Sequence, residues 1–308
     1  MLTLKLFYSD TFELPLPDRH RFPMSKYGLL RERVLQDPIA THCELSLPAA
    51  ATDHQLSKVH TPEYLEAICT GNLTEVQIRR IGFPWSLAMV ERSRRSTGAT
   101  IEAGFAALDD GLAGNLAGGT HHAFEGNGQG FCVFNDVCVA ARVLQSEGRI
   151  GNVLVVDCDV HQGNGTSSIA RGDASLFSFS MHCEKNFPFQ KTNGDCDIAL
   201  PAGTTDARYL EELEAGLSVV LDSFLPDFVF YLAGADPYTK DRLGLLDLSK
   251  AGLAARDRLV MNFCHEKGLP MAFAMAGGYA PEIDDIVDIH FQTVKIAVES
   301  LANRKLSI

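Results

Sequence analysis

Three stretches constrain this chain more than any others. NVLVVDCD (Asn152–Asp159), DFVFYLAGAD (Asp227–Asp236) and PMAFAMAGG (Pro270–Gly278) are almost unbroken apolar runs, and each ends in acids or glycines. A strand with one wet face alternates apolar and polar residues, whereas a strand covered on both faces reads as a continuous apolar run. LTLKLFY near the start and LFSFSMH before residue 183 read as further strands. Between the strands lie segments of helical period. PMSKYGLLRERVLQ is opened by Pro23 and Ser25, and TPEYLEAIC has Thr61 as N-cap with Pro62 at the first helical position. Ala88 to Leu108 is rich in small residues, NDVCVAARVLQSEG stops at Gly148, and the last helix runs from about Glu282 to Leu301. YLEELEAGLSVVLDSFL and LSKAGLAARDRLVMNFCHEKG complete the helical set. The prediction is an α/β chain, a single domain over residues 1–308, with a mainly parallel central sheet and helices on both faces. Gly111 to Gly130 is glycine-rich yet carries His121, His122 and Phe124, and reads as an ordered loop of special backbone shape.

Composition narrows the function classes. A formal net charge of -12 speaks against a non-specific nucleic-acid binder, which shows a basic face, but says nothing about the local field of a pocket. Eight cysteines without a CxxC pair are the pattern of reduced thiols in the cytosol. MLTLKLFYSD lacks the basic start and long apolar region of a signal peptide, and no run reaches the length of a membrane span. The reading is a cytoplasmic protein, monomeric or weakly oligomeric, with neither nucleic acid nor membrane as partner.

Chemistry concentrates where the strands end, which is where open α/β sheets bind ligands. In VVDCDVHQGNG, Asp159 and His161 are two apart and point the same way from an extended strand end. Asp236 closes YLAGAD and supplies a third donor from another strand. Two carboxylates and an imidazole around an open position suit a catalytic zinc, with iron or manganese also compatible on ligand type. Asp157, one step deeper on the same parity, would support the ligands. Strand-end aspartates commonly cap turns, and a lone DxH would be read that way. The third aspartate and the paired histidines of GGTHHAFE reverse those odds. A metal hydrolase needs a base for water and an acid for the leaving group, and histidine serves both near neutral pH. Tyr279 in AGGYAP would present its hydroxyl to a developing oxyanion, although by itself it is more simply a packed tyrosine on a glycine turn.

Together, GGTHHAFE, GFCVFNDVCVAA, VVDCDVHQGNGT, YLAGADPYTKDRLGLLDLS and AGGYAP resemble the histone deacetylase family of zinc-dependent lysine deacylases, in the family's order and spacing. PMSKYGLL, HTPEYLEAI and LPAGTTDARYLEEL extend the resemblance over nearly the whole chain, and DRLGLLDLS with the compact length looks closest to the class IV branch and its bacterial relatives. The resemblance implies an arginase/deacetylase-like fold. It implies zinc on Asp159, His161 and Asp236, and His121 with His122 as the catalytic pair. Asp157 would hold His121 charged. Asn164 would face His122, where many relatives have aspartate, leaving His122 neutral as general base. Tyr279 would donate to the oxyanion, and Phe131 and Phe187 would wall the acyl channel beside Gly130. Backbone carbonyls of Asp157, Asp159, His161 and Met181, with side chains of Asp157 and Ser180, would form a structural potassium site.

The implied reaction is attack of metal-activated water on an acyl amide of lysine in a protein or peptide, followed by proton delivery to the amine from a histidine of the pair. A close alternative is a small acylated amine such as an acetylpolyamine, for which an acidic pocket rim would substitute for the dimer-forming insertion those relatives use. A metal-bearing binding module without turnover is a third reading; it would lack one of these residues, and all are present. An arginase-like two-metal site is disfavoured, since Gly163 stands where the second metal needs a carboxylate. GNGT is not a P-loop, because no lysine follows its glycine. Phe83 to Val90 contains no acidic residue of the kind that grips a substrate backbone in the better-known branches.

Overall fold

The computed structural model describes residues 3–304. Eight strands, β1 (Leu4–Phe7), β2 (Cys43–Ser46), β3 (Leu112–Asn115), β4 (Val153–Asp157), β5 (Leu176–Cys183), β6 (Cys196–Leu200), β7 (Phe228–Leu232) and β8 (Met271–Ala274), form one sheet in the order β2-β1-β3-β8-β7-β4-β5-β6. Every neighbouring pair is parallel. The helices are α1 (Lys26–Gln36), α2 (Asp53–Leu56), α3 (Pro62–Thr70), α4 (Glu75–Ile81), α5 (Leu87–Asp110), α6 (Asp136–Ser146), α7 (Asn164–Ala170), α8 (Asp206–Ser223), α9 (Lys250–Glu266) and α10 (Ile283–Arg304).

The apolar runs are buried for the reason their pattern suggests. β4, β7 and β8 are wholly buried, and β4 sends alternate side chains to opposite layers. Leu154 and Val156 pack in a core shared with α1, α8, α9 and α10; Val153 and Val155 join the core under α3, α5 and α6. α3 begins as expected, with the Thr61 hydroxyl accepting from the Tyr64 amide and Pro62 at its first position. LTLKLFY becomes β1, its first residue, Leu2, lying outside the described residues.

The glycine-rich segment is not loop throughout. Leu112–Asn115 is β3, paired to β1 and β8 near the middle of the sheet. Its sequence, LAGN, has no β-branched residue, and Gly114 is there because Phe273 of β8 crowds it: a Cβ would lie 2.2 Å from that ring. The ordered loop proper follows β3. The edge strands β2 and β6 also escaped the apolar-run criterion, because their exposed faces carry polar residues. This order sets β3, β8, β7 and β4 side by side, so the segments leaving their carboxyl ends converge on one place.

Candidate active site

Four adjacent strands bring the predicted residues together at the floor of one cavity of about 620 Å³, which His121, His122, Asp159, His161 and Tyr279 line and beneath which Asp157 and Asp236 are buried. From β4 come Asp157, Asp159 and His161; from β7, Asp236; after β8, Tyr279; after β3, His121 and His122. Donor atoms of Asp159, His161 and Asp236, all buried, lie within 4.8 Å of one another. The His161 Nδ1 is 2.9 Å from Asp159 Oδ1 and 3.2 Å from Asp236 Oδ2. Backbone amides fix the two carboxylates: Gly277 donates to Asp159 Oδ2 at 2.8 Å, and Val160 to Asp236 Oδ1 at 2.9 Å. Asp236 Oδ2 is buried without a hydrogen bond among the described residues.

Charges at this floor are strongly perturbed. Burial, and then the charge of Asp159, push the Asp236 carboxyl up to about 7. Burial opposes a charge on His161, yet Asp159 and Asp236 raise it to about 10. Both shifts show crowded carboxylates drawing positive charge to the spot.

The two loop histidines are 4.1 Å apart between ring centroids but sit in opposite electrostatic settings. The His121 Nδ1 meets Asp157 Oδ2 at 2.6 Å, and the His122 Nδ1 meets Asn164 Oδ1 at 2.8 Å. Burial would push His121 down, but Asp157 and Asp159 overcome it and raise the imidazole to about 9. Burial, then the neighbouring His121 and His161, hold His122 well below the ordinary histidine range. These directions favour a single positive charge on the pair at neutral pH, carried by His121, with His122 neutral.

Tyr279, Phe131, Phe187 and Gly130 line the same cavity. The Tyr279 ring stands edge-on to His161, with centroids 6.4 Å apart, and its hydroxyl makes no hydrogen bond among the described residues. Phe187 meets the His122 ring edge-on at 4.9 Å, and Phe131 lies 6.0 Å from the Tyr279 ring. Ser180 pairs in register with Asp157 across β4 and β5, with Met181 next to it on β5. The Ser180 hydroxyl is 3.1 Å from the His182 Nδ1. At Gly163 a Cβ would lie 2.3 Å from Asp157 Oδ2 and 3.3 Å from the His121 Cβ, so this position has no room for a carboxylate.

Several supporting residues carried no sequence signal of their own. Asp136 accepts from the amides of Gly119 and Thr120 and from the Thr100 and Thr120 hydroxyls, bracing the turn that presents the histidine pair. The buried His60 accepts from the Asn135 amide at Nε2 and so donates from Nδ1 to the Phe124 carbonyl. Asp241 accepts from the Tyr279 amide at 2.6 Å and from the Leu243 and Gly244 amides, fixing the tyrosine's backbone. Lys26, fully buried, donates to the carbonyls of Ala276 and Gly278 and lies 5.5 Å from the Tyr279 ring centroid.

Comparison with known proteins bears on the family and the fold. The histone deacetylase domain is matched over residues 20–294. The chain belongs to the histone deacetylase family. An uncharacterized protein of a Picosynechococcus strain is 45% identical over 283 residues, covering 92% of this chain and 94% of that one. Histone deacetylase 2 of Arabidopsis thaliana is 30% identical over 289 residues, 90% of this chain and 74% of its own. Acetoin utilization protein AcuC of Staphylococcus aureus is 28% identical, covering 77% of this chain and 66% of its own. Among solved structures, an HDAC homologue complexed with SAHA superposes with a TM-score of 0.81 at 24% identity, over 96% of this chain and 84% of its own. The HDA15 HD domain does so at 0.82 and 22%, over 97% and 90%. This histone deacetylase-family hydrolase thus has the family's fold, and no helix of the described residues is long and apolar enough to cross a membrane.

Proposed function

We propose that this protein is a zinc-dependent lysine deacylase that removes acetyl or longer acyl groups from lysine side chains. The observation that carries the reading is the asymmetric histidine pair, His121 on a carboxylate and His122 on an amide, facing the three-donor cluster of Asp159, His161 and Asp236.

The cluster fits zinc. Two carboxylates and one imidazole leave a coordination position open, as in catalytic zinc sites. Asp236 Oδ2 is buried, meets no well-formed hydrogen bond among the described residues and has only the His161 Nδ1, at 3.2 Å, beside it, which leaves it open to a cation shared with that imidazole. Zinc held there supplies Lewis-acid chemistry, polarising a carbonyl and making water easier to deprotonate. The crowding at Gly163 speaks against a second metal of the arginase kind. Asp157, Ser180 and Met181 would hold a structural potassium ion beneath the histidine pair.

The side chains divide the remaining work. Phe131 and Phe187 flank the aliphatic arm of the acyl-lysine and keep water from it. His122, neutral at rest, takes the proton of the attacking water. Once protonated beside charged His121 it is a stronger acid, and it returns the proton to the departing amine nitrogen. Asp157 keeps His121 charged throughout. The Tyr279 hydroxyl, free of other hydrogen bonds, donates to the oxygen that gains charge as the amide carbon becomes tetrahedral.

Purified protein assayed on peptides carrying acetyl- and longer acyl-lysine tests this directly. Wild type is expected to release the acyl group as a carboxylate and leave unmodified lysine in the peptide, and His122→Ala to lose turnover while keeping its metal and its fold. Near-wild-type activity in His122→Ala places the base elsewhere; no turnover of any acyl-lysine peptide rejects the reading.

A further inference from the structure

The mouth of the cavity has the opposite sign from the rest of the molecule. Arg21, Arg79, Arg80, Lys185 and Arg242 all line it, and all five are exposed. Among the described residues the only acid that lines the cavity is Asp159, at its floor. Asp241 lies near, but its carboxylate is turned inward onto three backbone amides, and Glu184, next to Lys185, does not line the cavity. An acidic rim, the arrangement that would draw a polyamine, is therefore not what the fold builds. Five cations gathered at one opening in a chain of net charge -12 are not an average of its surface.

None of the five makes an ion pair among the described residues, although many of the chain's other arginines and lysines do, among them Arg31, Arg33, Arg94, Arg142 and Lys250. They come from four separate segments: the approach to α1, the end of α4, the turn after β5 and the segment after β7. Beside them stand Phe189, 90% exposed, and Leu245, 48% exposed, both also lining the mouth. A small anion is gripped by converging, sheltered donors. Separate exposed cations with apolar residues between them suit a longer partner lying across the opening, with carboxylates spaced along it.

We infer that the mouth selects acyl-lysine in an acidic polypeptide context, with flanking Asp and Glu side chains meeting the Arg21, Arg79, Arg80, Lys185 and Arg242 ring and an apolar neighbour covering Phe189. This deepens the deacylase reading and rests on it. The ring takes over, with reversed charge, the substrate-gripping task for which residues 83–90 offer no acid. One exposed ion pair contributes little, but two or three engaged together amount to about tenfold in affinity. The contribution falls with salt, because exposed charges are screened over about 8 Å at physiological ionic strength.

The test uses three peptides with the same acyl-lysine, flanked on each side by two Glu, two Gln or two Lys. The expected result is a kcat/KM about tenfold higher for the Glu than for the Lys peptide, carried by KM, with Gln between them. At 500 mM salt the ratio should contract to about threefold or less. In the double variant Arg79→Gln, Arg80→Gln the Glu-to-Lys ratio should also drop below about threefold; as a ratio, it is insensitive to any general loss of activity. Turnover of the Gln peptide with equal rates on the Glu and Lys peptides overturns this inference and leaves the deacylase intact. Turnover of none of the three removes both. An acetylpolyamine hydrolysed faster than the Glu peptide, or a short single-stranded DNA that inhibits at lower concentration than that peptide, also overturns it, by giving the mouth to a different partner.

Discussion

Gly130 offers a way to move the His122 ring, proposed as the base, without touching its chemistry. Its φ is +57°, and a Cβ built there would lie 2.6 Å from the His122 Cδ2 and 3.3 Å from Phe187. That is about 0.8 Å short of ordinary van der Waals contact. The ring has little freedom to retreat, being hydrogen-bonded to Asn164 and packed edge-on to Phe187. In Gly130→Ala we expect His122 to shift by several tenths of an ångström, and a misplacement approaching 1 Å costs up to about 10²-fold in rate. Left-handed backbone at a non-glycine residue adds about 1–2 kcal/mol of strain, or a Tm lower by about 2–8 °C for a chain near this size. Gly148→Ala is the matched control. Its φ is +68° with nothing within 4 Å of the new Cβ, and it stands just past α6, away from the cavity. It should lose comparable stability and keep its kcat. Steady-state kinetics on an acyl-lysine peptide and thermal melts of both variants suffice. Wild-type kcat in Gly130→Ala, or equal loss of rate in both variants, refutes the claim that this glycine is needed for the position of His122.

Tyr279→Phe removes one hydroxyl that makes no hydrogen bond among the described residues, and leaves the backbone bond to Asp241 in place. Kcat and kcat/KM should fall together by about 10²–10³-fold with Tm unchanged within a few degrees, whereas a rise in KM alone would make the hydroxyl a ground-state binder. Asp157→Asn removes the carboxylate that holds His121 charged up to about 9. Wild-type activity should decline only as pH rises through about 9; in the variant His121 loses its proton near or below about 6.5, so the alkaline limb of kcat/KM should move down by two or more pH units. An alkaline limb in the same place would separate it from His121.

What the sequence made legible, and what it did not, has a physical boundary. The buried strands and the cluster at their ends were readable because continuous apolar runs have one main structural use, and because Asp159, His161 and Asp236, which the fold brings within 4.8 Å of one another, terminate such runs. β3 was hidden, since LAGN has no strand propensity and is a strand only because β1 and β8 pair with it. The braces Asp136, Asp241 and Lys26 act through backbone groups distant in sequence, and hydrogen bonds to a distant main chain leave no periodic mark. The cationic mouth is the clearest case. Arg21, Arg79, Arg80, Lys185 and Arg242 lie in four unrelated stretches, so a net charge of -12 concealed a local field of the other sign.

The central claim is a single zinc working with the His121–His122 pair on an acyl-lysine amide. It is met most directly by titrating zinc into chelator-stripped protein while following hydrolysis of an acyl-lysine peptide. Activity should rise in proportion to added zinc, reach its plateau at one equivalent per chain, and fail to rise in Asp236→Ala at the same concentrations. A plateau at two equivalents, or full turnover by the stripped protein, would contradict it.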